Sequence, residues 1–190
     1  MKKQKYNLRI PQNVSLIFCK KKSTLTVKGP LKKKSLKLKL KIYIDKFNKV
    51  ISVSPIPIFK GSNVEKKQIK ILRKTTFIQI KQLVIESSVL IFQKLKIIGV
   101  GFRADFANTF LKKKILTLKL GFSHLVYVKV PENLNLNTLT KTKFCIYGND
   151  YHKISEFTAT IRSKKLPEPY KGKGILYDNE NIILKEGKKI

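Results

Sequence analysis

The sequence predicts an α+β fold made of two tandem duplicated domains, each a small, mostly antiparallel sheet packed with one helix. Three observations predict it: an internal echo of motifs, a period-two alternation of leucine with lysine or threonine, and two stretches whose apolar residues recur every three to four positions. The echo sets Ile10-Pro-Gln-Asn-Val-Ser-Leu16 against Val130-Pro-Glu-Asn-Leu-Asn-Leu136. It resumes as Leu25-Thr-Val-Lys-Gly29-Pro30 and Phe144-Cys-Ile-Tyr-Gly148-Asn149, so that each glycine follows its proline at nearly the same distance.

Leu36, Leu38, Leu40 and Ile42 alternate with Lys37, Lys39 and Lys41, which predicts a half-buried antiparallel strand over 36–42. Ser62-Asn-Val-Glu65 has the spacing of a capping box and starts a helix running to about Phe92. Its inward stripe is Ile69, Leu72, Thr76, Ile80, Leu83, Ser87 and Leu90. Many residues there are β-branched, which lowers intrinsic helix propensity, so packing must hold this helix. A strand over 95–98 leads to Gly99-Val-Gly101, where the boundary between copies is expected: 1–98 is the first α+β copy and 99–190 the second. Leu116, Leu118 and Leu120 alternate with Thr117 and Lys119, again a strand. Asn149 or Asp150 caps a second helix whose inner stripe is Ile154, Phe157, Thr158 and Ile161, and Pro167 forbids its continuation past about Lys165.

The charge narrows the function. The chain has 190 residues with 42 bases against 11 acids, a net charge of +31, yet 42% of its residues are apolar. That much apolar content builds a core rather than a disordered basic tail. A folded unit so charged repels itself, and a polyanion neutralises it: nucleic acid first, an anionic membrane surface second. The bases concentrate toward the amino-terminal half, with 25 of them in residues 1–98. No apolar run approaches the ~18 to 20 residues of a membrane span; the nearest, 83–92, is interrupted by Glu86, Ser87 and Ser88. The start of the chain carries neither a signal h-region nor an import presequence, so the protein is expected to work where it is made. Two cysteines are too few to staple the fold, and a reducing compartment is expected. Lysine far exceeds arginine and alanine occurs only at 104, 107 and 159, a bias expected of AT-rich coding in an organelle genome.

Leu166-Pro-Glu-Pro-Tyr-Lys-Gly-Lys-Gly-Ile175 is the segment most suited to RNA. Prolines enforce an extended path, glycines let the backbone approach a ligand, lysines meet phosphates, and Tyr170 can stack on an unpaired base. With two prolines, two glycines and little to bury, residues 166–174 are expected to be mobile until RNA orders them. A flexible connector is the bland alternative.

Other motifs point away from catalysis. Gly99-Val-Gly-Phe-Arg-Ala104 fits a dinucleotide fingerprint and follows a strand, but no helix pattern follows and Lys119 stands where an acid should hold ribose. Its expected role is a tight domain junction. His124 and His152 lack a nucleophilic setting, no cysteine and histidine cluster has metal-ligand spacing, and the acids are scattered. No enzyme activity, cofactor or metal is therefore expected. His124 falls on a turn between strands, where it can touch RNA. Cys19 and Cys145 read as small core residues on strands.

The run Arg162-Ser-Lys-Lys-Leu-Pro-Glu-Pro-Tyr-Lys-Gly-Lys-Gly-Ile175, with Glu180, Lys185 and Gly187-Lys-Lys189 after it, resembles the carboxy-terminal signature of the ribosomal protein L-six family of the large subunit. Val27-Lys-Gly-Pro30, Gly99-Val-Gly-Phe-Arg-Ala104 and Leu120-Gly-Phe-Ser-His124 resemble the same family in the same order. The resemblance implies two duplicated α+β domains and a structural constituent of the large ribosomal subunit that binds large-subunit rRNA near the sarcin-ricin and factor-binding region. It implies that Arg162, Lys164, Lys165, Tyr170, Lys171, Lys173, Lys185, Lys188 and Lys189 of segment 162–190 lie at RNA. The partners implied are large-subunit rRNA and neighbouring large-subunit proteins, with no small-molecule substrate, no membrane and no homo-oligomer. The expected home is a mitochondrial ribosome, ahead of a plastid or a bacterial cytoplasm. The family carries small residues, often glycine, inside its first helix, where this chain has Glu86 and Leu90. The rival reading from composition alone is a polycationic peripheral membrane or RNA-chaperone protein outside the ribosome.

Overall fold

Thirteen strands and two helices make up the described part of the chain, residues 6–45, 47–57, 66–108 and 114–187 of a computed structural model. Two compact units, Met1–Val89 and Leu90–Ile190, divide it. In the first unit, strands β1 (Asn7–Arg9), β6 (Val50–Pro57) and β5 (Leu40–Asp45) form one antiparallel sheet in the order β1-β6-β5. Strands β2 (Ser15–Cys19), β3 (Thr24–Lys28) and β4 (Lys33–Lys37) form another, ordered β2-β3-β4. Helix α1 (Lys66–Ser88) packs on β6, β3 and β4. Leu25, Val27, Leu38, Leu40, Ile51, Val53 and Ile80 close the core between them.

The alternation over 36–42 hides a corner. Leu38 and Leu40 are both buried, as period two requires, but the strand breaks at 38–39 and changes sheets, β4 lying in one and β5 in the other. The Leu38 N–H leaves the ladder and donates to the Ser23 carbonyl at 2.8 Å. Helix α1 ends at Ser88 rather than at Phe92, because residues 91–98 form a strand; Leu90 thus lies outside the helix. Of the inward stripe, Thr76, Ile80, Leu83 and Ser87 are buried and Leu90 is exposed. The capping-box residues 62–65 lie outside the described residues.

The second unit repeats these parts. Strands β8 (Arg103–Asn108), β9 (Lys114–Lys119) and β10 (Val126–Lys129) form the sheet β10-β9-β8. Strands β7 (Ile91–Ile98), β11 (Leu134–Thr140), β12 (Lys143–Gly148) and β13 (Gly174–Tyr177) form the antiparallel sheet β11-β12-β7-β13. Helix α2 (Tyr151–Lys164) packs on β7, β12 and β13 with Ile154, Phe157, Thr158 and Ile161 buried, the expected stripe. Strand β7 lies between β12 and β13, so it belongs to the second unit, and the division falls between Val89 and Leu90 rather than between 98 and 99. Gly99-Val-Gly101 is correspondingly the turn from β7 to β8, inside a unit and not a junction between domains; the Phe102 N–H closes it on the Gly99 carbonyl at 3.3 Å.

The echoed motifs occupy matching places. Val14 donates its N–H to the Pro11 carbonyl and Leu134 to the Pro131 carbonyl, so each proline opens the same turn into a strand. Just before it, Ile10 donates to the Lys49 carbonyl and Val130 to the Lys114 carbonyl. By sheet order, β1, β2 and β3 correspond to β10, β11 and β12, while β4, β5 and β6 correspond to β7, β8 and β9. The duplicate therefore carries the same strands in rotated chain order, and its helix follows the counterpart of β3 instead of that of β6.

Gly29 shows why Val27-Lys-Gly-Pro30 reads as it does. A Cβ there would overlap the Ser87 carbonyl at the end of α1, and Leu31 donates its N–H to that same carbonyl at 3.2 Å. Glu86, buried to 2% exposure in the same helix, receives Lys34 Nζ at 2.7 Å and Gln82 Nε2 at 3.1 Å. A large acid at this buried position is thus compensated by a lysine from β4, since an unpaired buried carboxylate would cost several kcal/mol.

Candidate nucleic-acid interface

Three pieces of the second unit supply the sequence-predicted residues: the last turn of α2, the loop 120–125 between β9 and β10, and the segment 165–187. Arg162 and Lys164 stand in the last turn of α2, where cations also complement the helix dipole. Lys164 is exposed. The Arg162 guanidinium turns back on its own chain, with Nη2 at 2.6 Å from Glu180 Oε1 and Nε at 3.2 Å from Oε2, a two-point clamp. This hydrogen bonding raises the Arg162 pKa and holds the Glu180 carboxyl below its ordinary value. Glu180 Oε2 also accepts the Tyr177 N–H, and the guanidinium lies 5.7 Å from the Tyr177 ring centre. Arg162 therefore binds α2 to the chain that follows β13.

Lys165, His124 and Phe122 come together. Lys165 Nζ stands 4.4 Å from the centre of the Phe122 ring, and that ring stacks on His124 at 5.7 Å with 13° between the planes. The result is a cation, an aromatic ring and an imidazole in file, with His124 exposed and Phe122 partly so. Phe122 escaped the sequence-level selection of site residues, although it stands in the quoted motif Leu120-Gly-Phe-Ser-His124; the missing signal was its spatial pairing with Lys165.

The glycine and lysine segment is fastened by the protein itself. Glu168 donates its N–H to the Lys173 carbonyl, Gly172 to Glu168, Ile175 to Lys165 and Lys185 to Pro169, four backbone hydrogen bonds of 2.9 Å. Gly172, with φ of +67°, makes the tight turn that a side chain would disfavour. These bonds run through the stretch 166–174 that the sequence expects to be mobile before RNA is bound, and β13 beside it is buried at Ile175 and Leu176. Tyr170 and Lys171 are exposed at the turn and Lys173 is half-buried beside it. Lys185 is exposed and tied by its backbone to the same turn. Lys188 and Lys189 lie outside the described residues.

The arrangement presents exposed lysines and partly exposed rings with no acid in the file of Lys165, Phe122 and His124, a pattern suited to phosphates and unpaired bases. Among the described residues, no group of three His, Cys, Asp or Glu side chains converges as a metal site, and no helix is long and apolar enough to cross a membrane.

Comparison with known proteins finds one family, and relatives that match most of the chain. The family model for ribosomal protein L6 matches residues 98–178. The chain is similar to the large ribosomal subunit protein uL6 of Mycoplasmoides gallisepticum, 39% identical over 183 residues that make up 95% of this chain and 92% of that protein. It is similar to the uL6 of Mycoplasma genitalium, 35% identical over 178 residues, 94% of this chain and 90% of that protein. Against the uL6 of Ralstonia pickettii it is 35% identical over 165 residues, 87% and 86% of the two chains.

Proposed function

Because this chain belongs to the ribosomal protein L6 family, we propose that it is a structural constituent of the large ribosomal subunit, binding large-subunit rRNA near the sarcin-ricin and factor-binding region and performing no reaction of its own. The observation that carries this reading is the similarity to a named large-subunit protein over 95% of the chain, both units included. The charge of +31 and the exposed Lys164, Tyr170 and Lys171 support rRNA as the partner. Affinity comes from lysines displacing counterions, and fit from a rigid surface matched to RNA shape.

In this reading Lys164, Lys165, Tyr170, Lys171, Lys173, Lys185, Lys188, Lys189 and His124 meet RNA, and Phe122 joins them through Lys165. Arg162 serves by positioning: its clamp on Glu180 holds the end of α2 to the chain after β13. Neighbouring large-subunit proteins are further partners. The lysine-rich, alanine-poor composition supports a mitochondrial ribosome, encoded in the organelle, although the compared relatives are bacterial. The test is a sucrose gradient of cell and organelle lysates with immunoblotting. The protein is expected to co-migrate with mitochondrial large subunits, and its absence from every large-subunit fraction would refute the ribosomal role.

A further inference from the structure

At the end of the second unit's larger sheet, strand β13 pairs with only the second half of β7, so residues 91–93 of β7 form an open edge. A cavity of about 460 Å³ occupies that edge, lined by Ile91, Phe92, Gln93 and Lys94 of β7, Tyr151 of α2, and Tyr177, Asp178 and Asn179. Three of its lining residues are aromatic, and two of these are open to solvent, Phe92 at 62% and Tyr151 at 48% exposure. Phe92 also faces Tyr147 across the ladder, which extends the aromatic surface onto β12. Lys94 Nζ stands 5.9 Å from the Phe92 ring centre.

The wall formed by residues 177–179 is built rather than loose. The Asp178 N–H donates to the Lys94 carbonyl at 3.2 Å, and Lys96 Nζ bridges the carbonyls of Asp178 and Glu180. The Arg162 clamp on Glu180 secures the same loop from the helix side. A site held this way loses little entropy when it is filled.

We propose that this notch receives a single unpaired nucleotide of RNA, its base stacked on the exposed ring of Phe92, with Tyr151 walling the helix side, and its phosphate met by Lys94. The chemistry selects that occupant. Rings of half exposure beside a lysine suit a base and its phosphate, whereas a buried apolar partner would need a lining without Gln93, Lys94, Asp178 and Asn179. Asn179 can accept and donate hydrogen bonds at a base edge, and the Asp178 carboxylate can accept them. The site is separate from the lysine and glycine segment, and it rests on the reading that this chain binds RNA.

The experiment uses the full chain and two RNA hairpins, one with a single bulged aminopurine and one fully paired, together with free AMP. The bulged hairpin is expected to bind more tightly than the paired one and to lose aminopurine fluorescence on binding. Phe92→Ala with Tyr151→Ala should weaken bulge binding by at least about fivefold, the lower end of what one stacked base contributes, without changing the salt slope. Phe92→Tyr should keep the quenching. Lys171→Glu with Lys173→Glu should lower the affinity for both hairpins and leave the preference for the bulge. Equal binding of bulged and paired RNA, or an unchanged preference in the double alanine variant, would overturn the proposal. AMP bound as tightly as the bulge would overturn the assignment to RNA in favour of a free nucleotide. A preserved bulge preference in a protein that is absent from large subunits would sink the ribosomal reading while sparing the notch.

Discussion

At the scale of single residues, the Arg162 and Glu180 pair has a pH signature. Its hydrogen bonds hold the Glu180 carboxyl below 4.5, the value it regains on unfolding. Because the folded value is the lower one, the pair stabilises the protein above that pH, and the contribution is lost as pH falls through the folded value. Glu180→Gln should cost about 1 kcal/mol at neutral pH and flatten this part of the acid dependence, as urea melts at neutral and acidic pH would report. Gly29→Ala should destabilise the first unit by about 1 to 3 kcal/mol, since the new Cβ must push the end of α1 away. Calorimetry should show that loss. The cysteines separate by accessibility: Cys19 is exposed, whereas Cys145 is half-buried and its thiol pKa is pushed up by burial. A thiol reagent near neutral pH should label Cys19 first, because thiolate is the reactive form. Faster labelling of Cys145 would contradict its half-buried place opposite Lys94 on the neighbouring strand.

Among the elements, α2 was the most legible in the sequence. Ile154, Phe157, Thr158 and Ile161 step by three and four, and all four are buried. Ile161→Ala should cost about 2 to 5 kcal/mol, measured by urea denaturation, because it empties fully enclosed core space. The 36–42 stretch was less legible for a definite reason: a strand that turns a corner between sheets keeps its period, so Leu36, Leu38, Leu40 and Ile42 alternate through the break without marking it. The candidate interface was legible in the same partial way. The run Arg162 to Ile175 announced its lysines and glycines, but hydrogen bonds such as that from Ile175 to Lys165 depend on chain paths that composition does not encode. The Phe92 notch left no local pattern at all, because its walls come from β7, α2 and the chain after β13.

For the whole molecule, the repeated unit was visible in the motif echo, but its limits were not, because β7 sits in the chain beside the first unit's helix and in space between β12 and β13. A fragment of residues 90–190 should therefore melt cooperatively, whereas one of residues 99–190 should not fold; circular dichroism separates the two outcomes. Position should also outweigh bulk charge. Lys171→Glu with Lys173→Glu should impair incorporation into large subunits more than Lys32→Glu with Lys33→Glu, as gradient profiles of the two variants would show, and equal defects would mean that total charge alone matters. The rotated strand order finally sets a timetable for synthesis. Emerging from the ribosome, β7 must wait for partners about 50 and about 80 residues further along, so the larger sheet closes only after β13 has been made. Until then β7 is an unsatisfied edge whose Lys94 and Lys96 discourage pairing with other nascent chains.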